Sequence, residues 1–139
     1  MKDRELIGSD RLGDEKAFMA LRKAMKNPNK YLRPNAYAVV KESAGDRVVP
    51  MLTRALKDKD ATLRLFAAVY LARLNSARGL HVLKVALRNP NAGLRYTVVD
   101  ALAALRDPRA MPVLTLALQD RAEEIRLRAA EALWARGHR

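Results

Sequence analysis

Apolar residues recur along this chain at two superimposed spacings, one of three to four residues and one of 31 residues. The short spacing is clear in the segment whose apolar positions are Val48, Val49, Leu52, Ala55 and Leu56. Side chains at these steps lie on one face of a helix, so the pattern predicts an amphipathic helix of about three turns. We name this element helix A.

A second helix is predicted directly after a polar turn at residues 57–60. Asp60 can accept hydrogen bonds from the first free backbone N–H groups of that helix, which makes it a candidate N-cap. The apolar stripe of this element, helix B, is Leu63, Ala67, Leu71 and Leu74. One unit of the chain is therefore predicted to be a pair of helices.

Residues suited to a helix N-terminus also precede or begin the predicted helices of the other units. Asn29 and Asn91 occupy the place of Asp60, while the charges of Glu123 and Glu124 suit the beginning of the last helix B. The pair Asp107 and Pro108 predicts the beginning of the last helix A, with Asp107 as N-cap and proline at the first helical position.

The long spacing repeats residue types four times. Its columns are Leu21, Leu52, Leu83 and Leu114; Ala24, Ala55, Ala86 and Ala117; Leu32, Leu63, Leu94 and Ile125; and Arg33, Arg64, Arg95 and Arg126. A fixed period of this size is typical of stacked units that bury their apolar faces against each other. We therefore expect an all-α fold, an α-solenoid of about four helix pairs. The predicted organisation is an arm at residues 1–13 and one domain at 14–137, with repeats at 14–45, 46–77, 78–107 and 108–137.

Two stretches carry a family resemblance. Residues 107–114 (DPRAMPVL) and 125–133 (IRLRAAEAL) resemble the short bacterial and archaeal HEAT-like repeat found in phycobilin lyase subunits. The resemblance extends over residues 46–137 and is weaker over 14–45, where Pro34 falls inside the expected helix B. It implies a right-handed stack of helix pairs whose B helices line a concave face, and it implies a role in binding other macromolecules.

The arginine column has two interpretations. These arginines could bind turn carbonyls or carboxylates of an adjacent repeat as an internal ladder, or they could bind a ligand. The ladder is the favoured interpretation. On helix B, Asp100 and Glu131 share a column and could approach one another. Because Arg128 is near Glu131, we expect a solvated ion pair there, not an acid/base pair.

Little in the sequence indicates catalysis. The chain has no cysteine, its histidines His81 and His138 have no metal-ligand partner at helical spacing, and no phosphate-binding loop or nucleophile motif occurs. We expect no enzymatic activity, no metal and no cofactor. The charged N-terminus and the lack of a long apolar run predict neither a signal peptide nor a membrane span, so a soluble cytoplasmic protein is expected.

The predicted concave face is unusually apolar. With the stripe of helix B buried, the other side of the B helices presents large side chains, which is typical of an interface. The candidate partner-binding residues are Leu65, Phe66, Val69, Tyr70, Arg73, Tyr96, Leu127, Arg128 and Trp134. The alternative is that facing helices or the N-terminal arm cover this face. The first hypothesis is a non-enzymatic scaffold that binds a protein or peptide of acidic character.

Charge adds a second hypothesis. Lys and Arg outnumber Asp and Glu by 27 to 15, which gives a net charge of +12 and favours polyanions. A basic edge is predicted near the A–B turns from Lys23, Lys26, Lys30, Arg54, Lys57, Lys59, Lys84 and Arg88. Nucleic-acid or other polyanion binding is therefore an alternative function. Further alternatives are an accessory subunit for bilin attachment, which rests on the resemblance, and homodimerisation.

Overall fold

The computed structural model describes residues 48–137 continuously and, before them, residues 13, 15, 16, 18–20, 22 and 23. Those eight earlier residues are helical. The continuous part consists of α1 (Val48–Ala55), α2 (Ala61–Arg73), a 3-10 turn (Ala77–Gly79), α3 (Leu80–Ala86), α4 (Ala92–Ala104), α5 (Ala110–Ala117) and α6 (Glu123–Gly137). Within the described residues there is no strand, and the expected all-α fold is confirmed.

Short and long helices alternate, as the two-helix unit predicts. Helices α1, α3 and α5 have seven or eight residues and correspond to helix A, whereas α2, α4 and α6 have 13 to 15 and correspond to helix B. Each helix packs on its partner in the same pair, and α2 also contacts α4 while α4 contacts α6. This order of contacts is that of an α-solenoid.

The A–B turn has the same hydrogen bonds in all three described repeats. At the end of each helix A, a backbone N–H of Asp58, Asn89 or Asp120 donates to the carbonyl three residues earlier, at 3.0 to 3.1 Å. The side-chain Oδ1 of each of these residues then accepts the N–H two residues later, at 2.8 to 2.9 Å. The 31-residue period of the sequence is therefore a period of backbone geometry.

The described arginines of the column bind internal groups, but the carbonyls lie in their own repeat and not, as predicted, in an adjacent one; Arg95 in addition binds a carboxylate of the next repeat, that of Asp120. Arg64, Arg95 and Arg126 each donate from Nη1 to the carbonyl oxygen six residues earlier, at 2.7 to 2.8 Å. These carbonyls belong to the turn residues just described, so the arginine of each helix B closes the turn that precedes it. Arg33 lies outside the described residues.

Two of the predicted N-caps are confirmed. Oδ1 of Asp60 accepts from the N–H groups of Thr62 and Leu63, and Oδ1 of Asn91 accepts from the N–H of Leu94. Helix α6 begins at Glu123, with both glutamates in its first turn. Asn29 and Pro34 lie outside the described residues.

The predicted beginning of α5 is wrong by two residues. Asp107 caps a turn instead of a helix, because its carboxylate accepts from the N–H of Arg109 and its carbonyl accepts from the N–H of Ala110. The helix begins at Ala110, after the turn at Pro108 and Arg109.

The core follows the predicted columns. The described members of the helix A leucine column, Leu52, Leu83 and Leu114, are at most 1% exposed. In the helix B column Leu63 and Ile125 are buried and Leu94 is partly exposed, and the stripe of α2 is buried except for the partly exposed Leu74. Ala55 and Ala117 are buried as small residues between the helices of a pair. The apolar area so removed from water stabilises the stack.

Candidate functional site

Four of the nine predicted partner-binding residues are buried. Leu65, Phe66, Val69 and Tyr70 of α2 are between 1% and 8% exposed and belong to the hydrophobic core. The rings of Phe66 and Tyr70 pack against each other with centroids 6.4 Å apart. The prediction that they lie exposed on a binding face is wrong.

The surroundings of α2 explain their burial. This helix contacts α1, the 3-10 turn, α3 and α4, so it has neighbours on several sides. A helix that is apolar all round is stable only when it is covered all round. The uniform apolarity of residues 63–72 therefore reflects the central position of α2 in the array.

The other predicted apolar residues are exposed. Tyr96 on α4 is 39% exposed, and on α6 Leu127 and Trp134 are 55% and 68% exposed. Leu127 and Trp134 are seven residues apart, which places them on one side of α6, with the exposed Ala130 between them. Tyr96 and Leu127 are 31 residues apart and occupy equivalent places in successive repeats. These residues form an apolar surface on the last two B helices, which we call the α4–α6 surface.

The two predicted arginines differ in their surroundings. Arg73 at the end of α2 is exposed. Arg128 on α6 is partly buried and binds the carboxylate of Asp100 on α4, with its Nε 3.0 Å and its Nη2 2.9 Å from Oδ1. Arg128 therefore pairs with Asp100 and not with Glu131, the predicted partner, and the pair joins two B helices.

The predicted basic edge is present in part. Lys23, Lys57, Lys59, Lys84 and Arg88 are exposed. Arg54 is also exposed, but its guanidinium binds Glu15 at 2.6 Å and lies 4.0 Å from the ring centre of Phe18. Lys26 and Lys30 lie outside the described residues.

A cavity of about 490 Å³ lies between α2 and α3, and the sequence analysis did not identify it. It is lined by Ala61, Arg64, Leu65, His81, Val82, Val85, Ala86, Arg88 and Asn89. Among the described residues that line it there is no acidic side chain, and two of them are arginines. One feature of the sequence could have indicated this cavity: Asn89 stands where the preceding and following repeats have Asp58 and Asp120.

Two turn carboxylates, those of Asp107 and Asp120, have lowered pKa values. Burial alone would raise the pKa of Asp120, but hydrogen bonds from Arg95 and from the N–H of Ala122 outweigh it and hold that pKa below its ordinary value. Hydrogen bonds from the side chain and backbone of Arg109 lower the pKa of the partly exposed Asp107 to about 2. Both carboxylates are therefore charged at neutral pH.

Neither histidine is placed in a metal site by the described part of the chain. His81 is exposed at the mouth of the cavity, and His138 is outside the described residues. Among the described residues no group of three or more His, Cys, Asp or Glu side chains could hold a metal ion. The described helices also include none with the length and apolarity needed to cross a bilayer.

Comparison with known proteins agrees with the repeat geometry. No curated protein matches the sequence significantly. Residues 49–134, more than half of the chain, match the family model for HEAT repeats. That range begins in α1 and ends in α6. It therefore includes the three helix pairs whose turns and arginines make equivalent hydrogen bonds. The chain therefore belongs to the family of HEAT-repeat proteins.

Proposed function

We propose that this chain is a non-enzymatic scaffold that binds a protein or peptide through the α4–α6 surface. The observation that carries this proposal is the exposure of Leu127 and Trp134 on one side of α6. An apolar side chain as large as Trp gains free energy when a partner removes it from water. Aromatic residues exposed in this way are also the residue types most often found at the energetic centre of interfaces.

The family supports the same class of function. HEAT repeats commonly mediate protein interactions. Successive repeats present equivalent positions on one side, and Tyr96 and Leu127 are such a pair. A partner that extends along the array could therefore contact both helices. Arg73 adds an exposed positive charge on the preceding helix B, which favours a partner with acidic groups.

The proposal is tested by capture of partners from native lysate, with and without nuclease. We expect the wild-type chain to retain a protein after nuclease treatment, and the Leu127→Ser, Trp134→Ser double variant to lose it. The matched control is Leu116→Ser, which removes an equally exposed leucine from helix α5. If the double variant retains the same protein as wild type, the α4–α6 surface is not the binding surface.

Self-association through the same surface would make the bound protein a second copy of this chain. Sedimentation of the purified chain distinguishes this outcome. If the purified wild-type chain is a dimer and the double variant is a monomer, the protein bound at the α4–α6 surface is a second copy of this chain and not a different protein.

Binding of a polyanion is a second candidate, supported by the exposed cations Lys57, Lys84 and Arg88. Neutralised phosphates release counterions, so log affinity for duplex DNA should fall with log salt by about 0.9 per contact. Changing these three residues to Gln should reduce both the affinity and that slope, and changing Leu127 and Trp134 should not. An unchanged slope would remove this candidate. Bilin attachment stays a prediction from the family resemblance.

A further inference from the structure

One of the differences between the A–B turns of the three described repeats, at positions 58, 89 and 120, changes which arginine has a carboxylate partner. Asp58 binds Arg22, one of the helical residues described before α1, with Nε 2.6 Å from Oδ2 and Nη2 3.1 Å from Oδ1. Asp120 binds Arg95 of the preceding repeat in the same two-point manner, at 2.9 and 3.2 Å. The equivalent residue between them is Asn89, an amide.

Asn89 keeps the turn but offers a guanidinium neither a negative charge nor a second acceptor oxygen. Its Oδ1 accepts the N–H of Asn91 at 2.8 Å, as Oδ1 of Asp120 accepts the N–H of Ala122 at 2.9 Å. The other polar group of the Asn89 amide is NH₂, which donates hydrogen bonds. The guanidinium of an arginine also only donates, so the two groups cannot form a hydrogen bond with each other. By the 31-residue equivalence, the arginine that lacks a carboxylate is Arg64.

The contacts of Arg64 agree with this. Its Nη1 donates to the carbonyl of Asp58 at 2.7 Å, and within the described part of the chain no carboxylate pairs with it. Arg95, by contrast, makes the equivalent carbonyl contact and also binds Asp120, and it is buried. Arg64 is only partly buried and lines the cavity between α2 and α3.

The cavity supplies further groups suited to a carboxylate. Arg88 brings a second positive charge, whereas the equivalent residue of the next repeat is the neutral Gln119. Leu65, Val82 and Val85 form apolar walls, and among the described residues of the lining no acidic side chain neutralises the two arginines. The two positive charges of the site therefore favour binding of an anion, and its apolar walls favour aliphatic groups next to that anion.

We propose that this cavity binds an acidic side chain of a partner peptide, with Arg64 and Arg88 holding its carboxylate in the role that Asp120 has for Arg95. This inference rests on the proposed scaffold function and specifies one contact of it. The walls favour a peptide in which the acidic residue lies between aliphatic residues. A nucleic acid is disfavoured, because a single two-arginine cavity with apolar walls does not follow a phosphate chain.

The test uses the full chain and the blocked peptide acetyl-Gly-Leu-Glu-Leu-Gly-amide, titrated by ¹⁵N NMR of the arginine Nε–H groups. We expect saturable shifts at Arg64 and Arg88, and at least about tenfold weaker binding of the peptide with Gln in place of Glu, because charge-assisted hydrogen bonds are lost. Asn89→Asp should weaken binding by a similar factor, since it supplies an internal carboxylate. Arg88→Gln should do the same, and the matched control Lys57→Gln should not.

Each contrary result overturns the inference. Absence of saturable shifts at millimolar peptide, equal binding of the Glu and Gln peptides, or unchanged binding by Asn89→Asp would each do so. So would tighter binding of a duplex oligonucleotide with the same dependence on Asn89 and Arg88. Helical circular dichroism of the Asn89→Asp variant checks its fold. If this variant still captures the lysate partner that requires Trp134, the scaffold proposal stands without this contact.

Discussion

Arg95 and Asp120 face each other across the boundary between two repeats, and their side chains are only 5% and 7% exposed. Two hydrogen bonds join the guanidinium to the carboxylate, and two more join Nη1 of Arg95 to the carbonyls of Asn89 and Pro90. A buried charge of either sign is costly without its partner. The pair therefore couples the turn of one repeat to the turn of the next.

We expect Asp120→Asn to lower the free energy of unfolding by about 3 kcal/mol, because it leaves Arg95 buried without a counter-charge. The amide can still accept the N–H of Ala122, as Asn89 does for Asn91, so the turn itself should persist. Urea unfolding followed by circular dichroism measures the loss. The control is Arg109→Gln, which breaks the exposed pair with Asp107 and should leave the unfolding curve unchanged. Equal effects of the two changes would contradict this account.

Stability should also fall in acid through Asp120. Its pKa is lower in the folded chain than its ordinary value, so its contribution is present above the unfolded-state pKa of about 4 and is lost as pH falls through the folded one. The difference in unfolding free energy between wild type and Asp120→Asn should therefore shrink below about pH 4. Unfolding curves of both proteins at pH 7 and at several acidic values provide the measurement. A difference that stays constant with pH would show that the carboxylate does not carry the effect.

Gly79 should not tolerate a side chain. A Cβ at this position would lie 2.6 Å from Cβ and 2.7 Å from Cα of Ala68, so the 3-10 turn would have to move away from α2. We expect Gly79→Ala to cost about 1 to 3 kcal/mol, as other overpacked core positions do. Gly137→Ala is the control, since no atom lies within 4 Å of its added Cβ, and it should be neutral or slightly stabilising. Thermal unfolding of both variants distinguishes these outcomes.

Buried and exposed aromatic residues should respond oppositely to the same change. Phe66→Ser removes a core side chain and should cost about 3 to 5 kcal/mol, enough to unfold much of a marginally stable chain. Trp134→Ser removes a side chain that is 68% exposed and should alter stability by less than about 0.5 kcal/mol. Circular dichroism melting compares them. A native melting temperature for the Phe66 variant would contradict the burial described above.

The repeat, its helix pairs and its caps could be predicted because each depends on local chemistry. Asp60 and Asn91 are short polar residues that bind nearby backbone N–H groups whatever the rest of the chain does. The carbonyl contacts of Arg64 and Arg95 are also local, since they reach back only six residues.

Burial of α2 could not be predicted from one helix at a time. A helical wheel assigns a buried and an exposed side, but Phe66 and Tyr70 lie on a helix with neighbours on several sides. The exposure of Trp134 was predicted correctly, because α6 is the last helix described and has fewer helices around it. The beginning of α5 was missed because Asp107 binds the side chain and N–H of Arg109, which stabilises a turn in place of a helical start.

The A–B turn uses a side-chain oxygen for its own closure and a main-chain carbonyl for the arginine that follows. Asp and Asn both provide that oxygen, and every residue type provides the carbonyl. Mutation at positions 58, 89 and 120 can therefore exchange a negative charge for a neutral amide while the chain still turns in the same way. In a repeat array built like this, the electrostatic character of each boundary can evolve separately from its shape, one boundary at a time.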